Sequence, residues 1–371
     1  MPQKATNVIV PCPGNEFIKT LSRLLLSAGG VEARLTPAAA SILNIERQEF
    51  ESLVCLANLN HVVIRGMERF RGVMASVGDE LRTEWADAAL AAERARIAHS
   101  LEHLNRICGA FGEAGLDVTV IKSLDHWPDM GSDLDLYTNA PADAVCAMMR
   151  RQFGAETEER SWGDHLAGKW NFRIPDLPEL VEVHVGRLGQ TGEQMALASR
   201  LPGRARTVEI AGRRYPVPSA TDRLLISTLQ RMYRHFYVRL CDILDVTELV
   251  RSGDLDYGDL RRTAEKAGIW DGVATYLAIV SDYVRTYGGG DIGLPTDVMN
   301  AARFRGDRVY FQRNFWRFPI LPQSAELYRT QLAVLLRNRE VYSSARLGLL
   351  PWLATAAAIG QKISGSDKGI W

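Results

Sequence analysis

The stretch MGSDLDLYT, Met130 to Thr138, decides how the rest of the chain is read. Its alternation predicts a β-strand with Asp133 and Asp135 on one face and Leu134 and Leu136 on the other. Two carboxylates side by side repel. Burying even one unpaired carboxylate costs several kcal/mol, comparable to the whole margin of stability of a domain. Either the strand faces water or a divalent cation holds the pair, and the motif alone leaves both readings open.

Upstream, EWADAALAAERARIAHSLEHLNRICGAFGEAGLD carries apolar residues at helical spacing and stops at Gly115, a C-terminal signal. It feeds an apolar strand, Val118 to Ile121, after which Lys122 and Ser123 open a nine-residue connection to Asp133. Downstream the pattern predicts a helix over Ala142 to Phe153, strands over Lys169 to Ile174 and Leu180 to His184, and a hairpin around Gly212 within Thr207 to Pro218. In LVEVHV, Glu182 and His184 share one face, with Val181, Val183 and Val185 on the other. If this strand lies beside the first, about 4.8 Å away, Glu182 completes a three-carboxylate cluster with Asp133 and Asp135. Three hard oxygen donors suit Mg²⁺ or Mn²⁺. Two such ions, roughly 3.5 to 4 Å apart, would activate an attacking hydroxyl and neutralise a nucleoside triphosphate.

The order of strand, Lys122-Ser123, linker, Asp133-Leu134-Asp135-Leu136 and a third acid on a later strand resembles the nucleotidyltransferase superfamily with the DNA polymerase beta-like fold. It is similar in more detail to the bacterial families of uncharacterised nucleotidyltransferases, through the long helix, GSDLDLY, LVEVHV and RHFYVRLCDILDVTEL, over roughly residues 85 to 290. The resemblance implies Asp133, Asp135 and Glu182 as catalytic, metal-binding acids. It also implies Lys122, Ser123, Gly131 and Ser132 around the triphosphate, and His184, Arg239 and Asp242 as further nucleotide-binding positions. Two departures stand out: Lys122 replaces a small residue of the wider superfamily, and Ser123 replaces a glycine of the nearer families. Ser123 could still donate from its hydroxyl and Lys122 supply a point charge. The bland alternatives are a satisfied strand histidine at 184, a solvated loop arginine at Arg187, and an ion pair between Arg239 and Asp242, three apart on a helix. Asp125, His126 and Asp129 lie in the linker, where they face either nucleotide or water.

The 371-residue chain as a whole is ordinary in composition, 46% hydrophobic and 24% charged, so a sizeable core can form. Lys plus Arg equal Asp plus Glu at 44 each, which argues against a surface given over to nucleic acid or acidic membrane. Cys12, Cys55, Cys108, Cys146 and Cys241 are scattered, with no disulfide or zinc spacing, and the first residues hold no signal-length apolar run. Both point to the cytoplasm. LGLLPWLATAAAIG, Leu347 to Gly360, is short of a membrane span and is read as a buried or self-associating helix, a route to a homo-oligomer. Helical period also marks Phe17 to Ala28, Pro37 to Glu46, Ser52 to Met74, Asp222 to Val250 and Tyr257 to Tyr287.

In Arg303 to Phe318, five arginines interleave with six aromatics. That is either a single-stranded RNA surface or a packing segment with arginines turned outward, and the second is preferred. The expected fold is α+β: a small mixed sheet in a nucleotidyltransferase core over 85–218, flanked by helical regions over 1–84 and 219–371. The expected function is metal-dependent transfer of NMP from an NTP to a small-molecule, peptide or protein acceptor. The alternatives are an RNA-directed enzyme and a silent nucleotide-binding protein.

Overall fold

The structure, a computed structural model, describes residues 15–27, 42–188 and 197–364. Four helices come first: α1 (Asn15–Leu26), α2 (Arg47–Leu59), α3 (Val63–Ser76) and α4 (Glu80–Glu113). The periodic stretch beginning at Pro37 falls largely outside the described residues, as does Cys12. The period from Ser52 to Met74 is split into α2 and α3 because His61 takes a left-handed backbone, φ +50°, at the turn between them. Asp79 starts α4 by accepting the Arg82 N–H at 3.0 Å, and α4 stops before Gly115, whose φ of +68° suits glycine.

The central sheet follows. Its strands are β1 (Thr119–Val120), β2 (Asp133–Thr138), β3 (Glu156–Thr157), β4 (Lys169–Arg173) and β5 (Leu180–Val185), with α5 (Ala142–Phe153) and α6 (Trp162–Ala167) in the connections. The spatial order is β1-β2-β5-β4-β3, and only β2 and β5 run parallel. Leu134, Leu136, Val181 and Val183 are buried on the core face. A short α7 (Leu201–Arg204) leads to the hairpin β6 (Arg206–Ile210) and β7 (Arg213–Val217), turning at Gly212 as the sequence indicates.

The helical second half begins with α8 (Ala220–Thr228). The period expected to run on to Val250 breaks: residues Leu229–His235 widen into a π-helical turn, Phe236 goes left-handed at φ +56°, and β8 (Tyr237–Val238) intervenes before α9 (Leu240–Arg251). The Phe236 N–H reaches five residues back to the Arg231 carbonyl, at 2.9 Å, and so closes the wide turn. Then come α10 (Tyr257–Ala267), α11 (Trp270–Gly288), α12 (Thr296–Ala301), the hairpin β9 (Tyr310–Gln312) and β10 (Phe315–Arg317), α13 (Ala325–Arg337) and α14 (Val341–Ser364). The architecture is the α+β organisation expected, a small mixed sheet with helical flanks. One hydrophobic core runs from Ile18 on α1 through the sheet to Leu327 on α13, across residues 84/85 and 218/219. On α14, Leu347 is buried while Leu349 and Trp352 are exposed. No helix among the described residues is long and apolar enough to cross a membrane.

Candidate active site

The parallel register of β2 and β5 sets Asp135 opposite Glu182 and Tyr137 opposite His184. Strand alternation then brings Asp133, Asp135 and Glu182 to one cleft of about 240 Å³. The crowding has an electrostatic signature. Burial, and then the neighbouring Glu182 and Asp135 charges, push the Asp133 carboxyl up to about 6. Burial also works against ionising Asp135, but the Lys122 ammonium and then His184 outweigh it and hold that carboxyl well below the usual carboxylate range. Lys122 Nζ forms an ion pair with Asp135. Lys169 Nζ lies 2.9 Å from Glu182 Oε1 and 3.2 Å from Asp164 Oδ1. Burial would lower the Lys169 pKa, but Glu182 and Asp164 raise it above its ordinary value.

Two lysines thus balance the acids. Asp135, Glu182 and His184 each present a ligand atom, all within 4.8 Å of one another. This set of two carboxylates and an imidazole, with the Asp133 carboxyl at its edge, fits a hard divalent cation.

The turn before β2 is built around Lys122, whose φ of +62° lies in the left-handed region that a glycine would occupy without cost. The Ser123 N–H closes this three-residue turn onto the Ile121 carbonyl at 2.6 Å. Ser123 Oγ accepts the Asp135 N–H at 2.7 Å and donates to the Asp133 carbonyl at 3.2 Å. Both of its donors are therefore engaged, the N–H within the turn and the hydroxyl on β2. Lys122 is a strained position whose side chain lands on Asp135. Gly131 and Ser132 line the cleft mouth; a Cβ at Gly131 would meet open space, and Ser132 Oγ lies 3.3 Å from Asp133 Oδ2. Arg96 on α4 holds this turn through the Met130 and Gly131 carbonyls, at 3.1 and 3.3 Å, while its guanidinium pairs with Glu179 at 2.7 Å.

The facing wall is cationic and comes from the broken helix: Arg231, Arg234, His235, Tyr237 and Arg239, with His61 from the α2–α3 turn. Arg231 is fully buried and pairs with Asp242 at 2.8 Å. Arg234 Nε and Arg239 Nε are buried without a hydrogen-bond partner among the described residues. Guanidiniums of Arg231, Arg239 and Arg317 surround the Tyr237 ring at 5.6, 5.8 and 5.6 Å from its centroid. Burial, reinforced by Arg234, Arg231 and Arg239, pushes His235 down to about 2. Burial and then Arg239 likewise hold His61 far below the ordinary imidazole range. Burial keeps these imidazoles neutral, and the guanidiniums around them add positive charge to the wall, which suits a polyanion.

Asp242 lies behind this wall. Its carboxylate is taken by Arg231 and by the Arg239 N–H, at 2.7 Å, which caps α9. The linker residues are also engaged: Asp129 accepts from Ile64 N at 2.6 Å and Arg65 Nε at 2.8 Å, and Asp125 pairs with Arg223 at 2.7 Å. His126 lines the cleft, stacks on His61 at 5.8 Å, bonds Asp245 through Nδ1, and approaches Cys241 Sγ at 3.7 Å through Nε2. This Cys-His-Asp order has the connectivity of a nucleophile triad, yet Cys241 is wholly buried, where no substrate reaches it. Arg65 also pairs with Asp245 at 3.0 Å, which makes the group part of a structural clamp. It bolts the α2–α3 turn to α9, together with Asn60, which accepts the Leu240 and Cys241 N–H groups, both at 3.2 Å.

Sequence reasoning passed over Arg231, Arg234, His235, Tyr237, His61 and Lys169. The density of basic residues in RMYRHFYVR was the available signal for four of them. His61 and Lys169 had none.

In Arg303 to Phe318 two of the five arginines close on the chain's own acids, Arg303 on Asp271 at 2.6 Å and Arg305 on Asp282, while Arg317 packs over the Tyr237 ring. Phe304, Trp316 and Phe318 are buried, and β10 pairs with β8, setting Phe315 on the Tyr237 ring at 4.5 Å. The packing expectation describes this segment.

Residues 46–285 match the model of a family described as uncharacterised nucleotidyltransferase. The chain belongs to that family. The match reaches back to α2, in keeping with the contribution of the α2–α3 turn to the cleft. Among curated proteins and solved structures nothing matches.

Proposed function

We propose that this member of the family transfers a nucleoside monophosphate from an NTP to an acceptor hydroxyl or phosphate, with pyrophosphate leaving. The observation that carries the reading is the opposition across one small cleft: Asp133, Asp135 and Glu182 on one wall, Arg231, Arg234 and Arg239 on the other. Mg²⁺ or Mn²⁺ held by Asp133, Asp135 and Glu182 would supply the charge neutralisation that this chemistry needs at the α-phosphate.

The chain's own residues do the rest. Arg234 and Arg239 bind the polyphosphate through donors that no carboxylate claims among the described residues. Lys122 gives up Asp135 and turns to a phosphate oxygen when the cation's charge takes its place. Ser123 and Arg96 hold the two turns on which Asp133 is presented. The acceptor oxygen forms a bond to the α-phosphorus, the proton of a hydroxyl acceptor passes to Glu182 while a phosphate acceptor attacks as the anion, and the bond from the α-phosphorus to the α–β bridging oxygen breaks with its electron pair leaving on pyrophosphate. Positioning and charge account for the rate, so no nucleophilic side chain is needed. Internal pairing of Arg303 and Arg305 favours a small acceptor over RNA.

The test is incubation of the purified chain with each α-labelled NTP, Mg²⁺ or Mn²⁺ and a cell extract. A labelled small product released with pyrophosphate is expected. Label that stays on NTP with every nucleotide and both metals contradicts the proposal.

A further inference from the structure

A second cavity, of about 640 Å³, opens beside the cleft. The two share Lys122, Gln230, Arg234, His235 and Tyr237. Its walls are largely aliphatic and aromatic: Leu188, Ile226, Leu229 and Phe236 on one side, Ile320 and Leu350 on the other. His184 and Lys122 lie where it meets the acids. His184 is buried, stands 3.7 Å from Asp135 Oδ1, and neither of its ring nitrogens makes a hydrogen bond among the described residues. Asp135 faces this ring from beyond hydrogen-bond distance, so a ligand atom that reaches it would complete its bonding. At the outer end Ile320, Leu321 and Leu349 are exposed, so apolar surface continues outward from the cavity.

Resting on the nucleotidyltransferase reading, we infer that the acceptor is an amphiphile. Its hydrocarbon body fills the larger cavity and its hydroxyl or phosphate head meets His184 and Lys122 beside Asp135. Size and chemistry favour it over the other occupants. A nucleobase is far smaller than this cavity and would leave most of its apolar wall uncovered, and an apolar peptide brings backbone N–H and C=O groups that aliphatic walls leave unsatisfied. The volume lies within the range of sites that enclose a drug-sized or lipid-like ligand, with a few polar groups to fix its orientation. His184 is then a positioning residue for the attacking oxygen, and Arg234, shared by both cavities, meets either the polyphosphate or a phosphate head.

The test uses 1-alkanols and alkyl monophosphates of increasing chain length, kept below micelle formation, titrated calorimetrically into the full chain with and without Mg²⁺ and NTP. Affinity is expected to rise about four-fold per buried methylene, from roughly 0.8 kcal/mol each. Ala325→Trp, which fills the cavity, should flatten the series while Mg²⁺–NTP binding persists. Ile320→Glu, at an exposed position where folding is not at stake, should do the same more weakly. Alkyl phosphate monomers accepted as readily as the same lipid in phosphatidylcholine vesicles identify a free acceptor, and vesicles alone a bilayer one; both support the amphiphile. No dependence on chain length, with Mg²⁺–NTP binding intact, overturns the inference and leaves the nucleotide reading standing. Displacement of the alkyl probe by nucleosides makes the cavity a base pocket and overturns it too. Alkyl binding without any NTP binding removes the acceptor role along with the nucleotide reading.

Discussion

Two arginine-rich regions of the molecule look alike in sequence and differ in structure. In RMYRHFYVR the side chains of Arg234 and Arg239 reach a cleft without carboxylate partners among the described residues, and they add to the burial that holds the neighbouring histidines low. In RFRGDRVYFQRNFWRF, Arg303 and Arg305 close on Asp271 and Asp282. The lesson is about charge balance. A guanidinium paired with a carboxylate of its own chain is neutralised by the fold, whereas one without such a partner leaves its positive charge available to an anion.

The comparison is sharpened first where the hairpin is structural. Trp316→Ala, which empties a buried ring position against Tyr283 and Phe311, should cost about 3 to 5 kcal/mol of folding stability by denaturant titration. In the cleft the loss should instead appear in binding. Arg234→Ala or Arg239→Ala should weaken NTP by about 10- to 30-fold, about 2 kcal/mol, with little change in melting temperature.

Asp133 gives a smaller effect with a defined sign. Its folded carboxyl is raised to about 6 from an ordinary value near 3.8, so ionising it costs stability. That cost is absent below about pH 4, grows as pH rises toward 6, and is complete above it. Asp133→Asn should therefore stabilise the metal-free protein at pH 7 by on the order of 1 to 2 kcal/mol and leave it unchanged at pH 4, as thermal melts in chelator would record. Smallest of all, Arg303→Ala and Arg305→Ala should each change stability by about 0.5 kcal/mol or less, because these pairs are half exposed, and leave NTP affinity alone. A steep salt-dependent loss of copurified RNA in those variants would break the comparison.

The acid cluster was legible because strand alternation fixes which residues share a face: Asp133 with Asp135, and Glu182 with His184. That β2 and β5 are neighbours was a conditional step, since pairing between distant strands leaves no local mark. Four of the five strands of the central sheet and the hairpin at Gly212 followed from periodicity and turn residues, whereas the two-residue β3 did not. What stayed hidden depends on backbone events that periodicity cannot see. The left-handed Phe236 converts an apparently continuous helix into the broken segment that carries the cationic wall. His61 enters the cleft only because its own left-handed turn splits one helical pattern into two. Ser123 reads as a phosphate donor in sequence, but its hydroxyl and N–H are both taken by neighbouring backbone.

The central claim is that Asp133, Asp135 and Glu182 face the unpaired arginines in order to hold a metal–nucleotide complex. Calorimetric titration of NTP into the full chain, with Mg²⁺ and with chelator, tests it most directly in wild type and Asp135→Asn. The account predicts binding that Mg²⁺ strengthens at least 10-fold in wild type, and a variant that folds, still binds weakly through the arginine wall, and no longer responds to Mg²⁺. Equal Mg²⁺ enhancement in the two proteins, or no NTP binding to wild type under either condition, would contradict it.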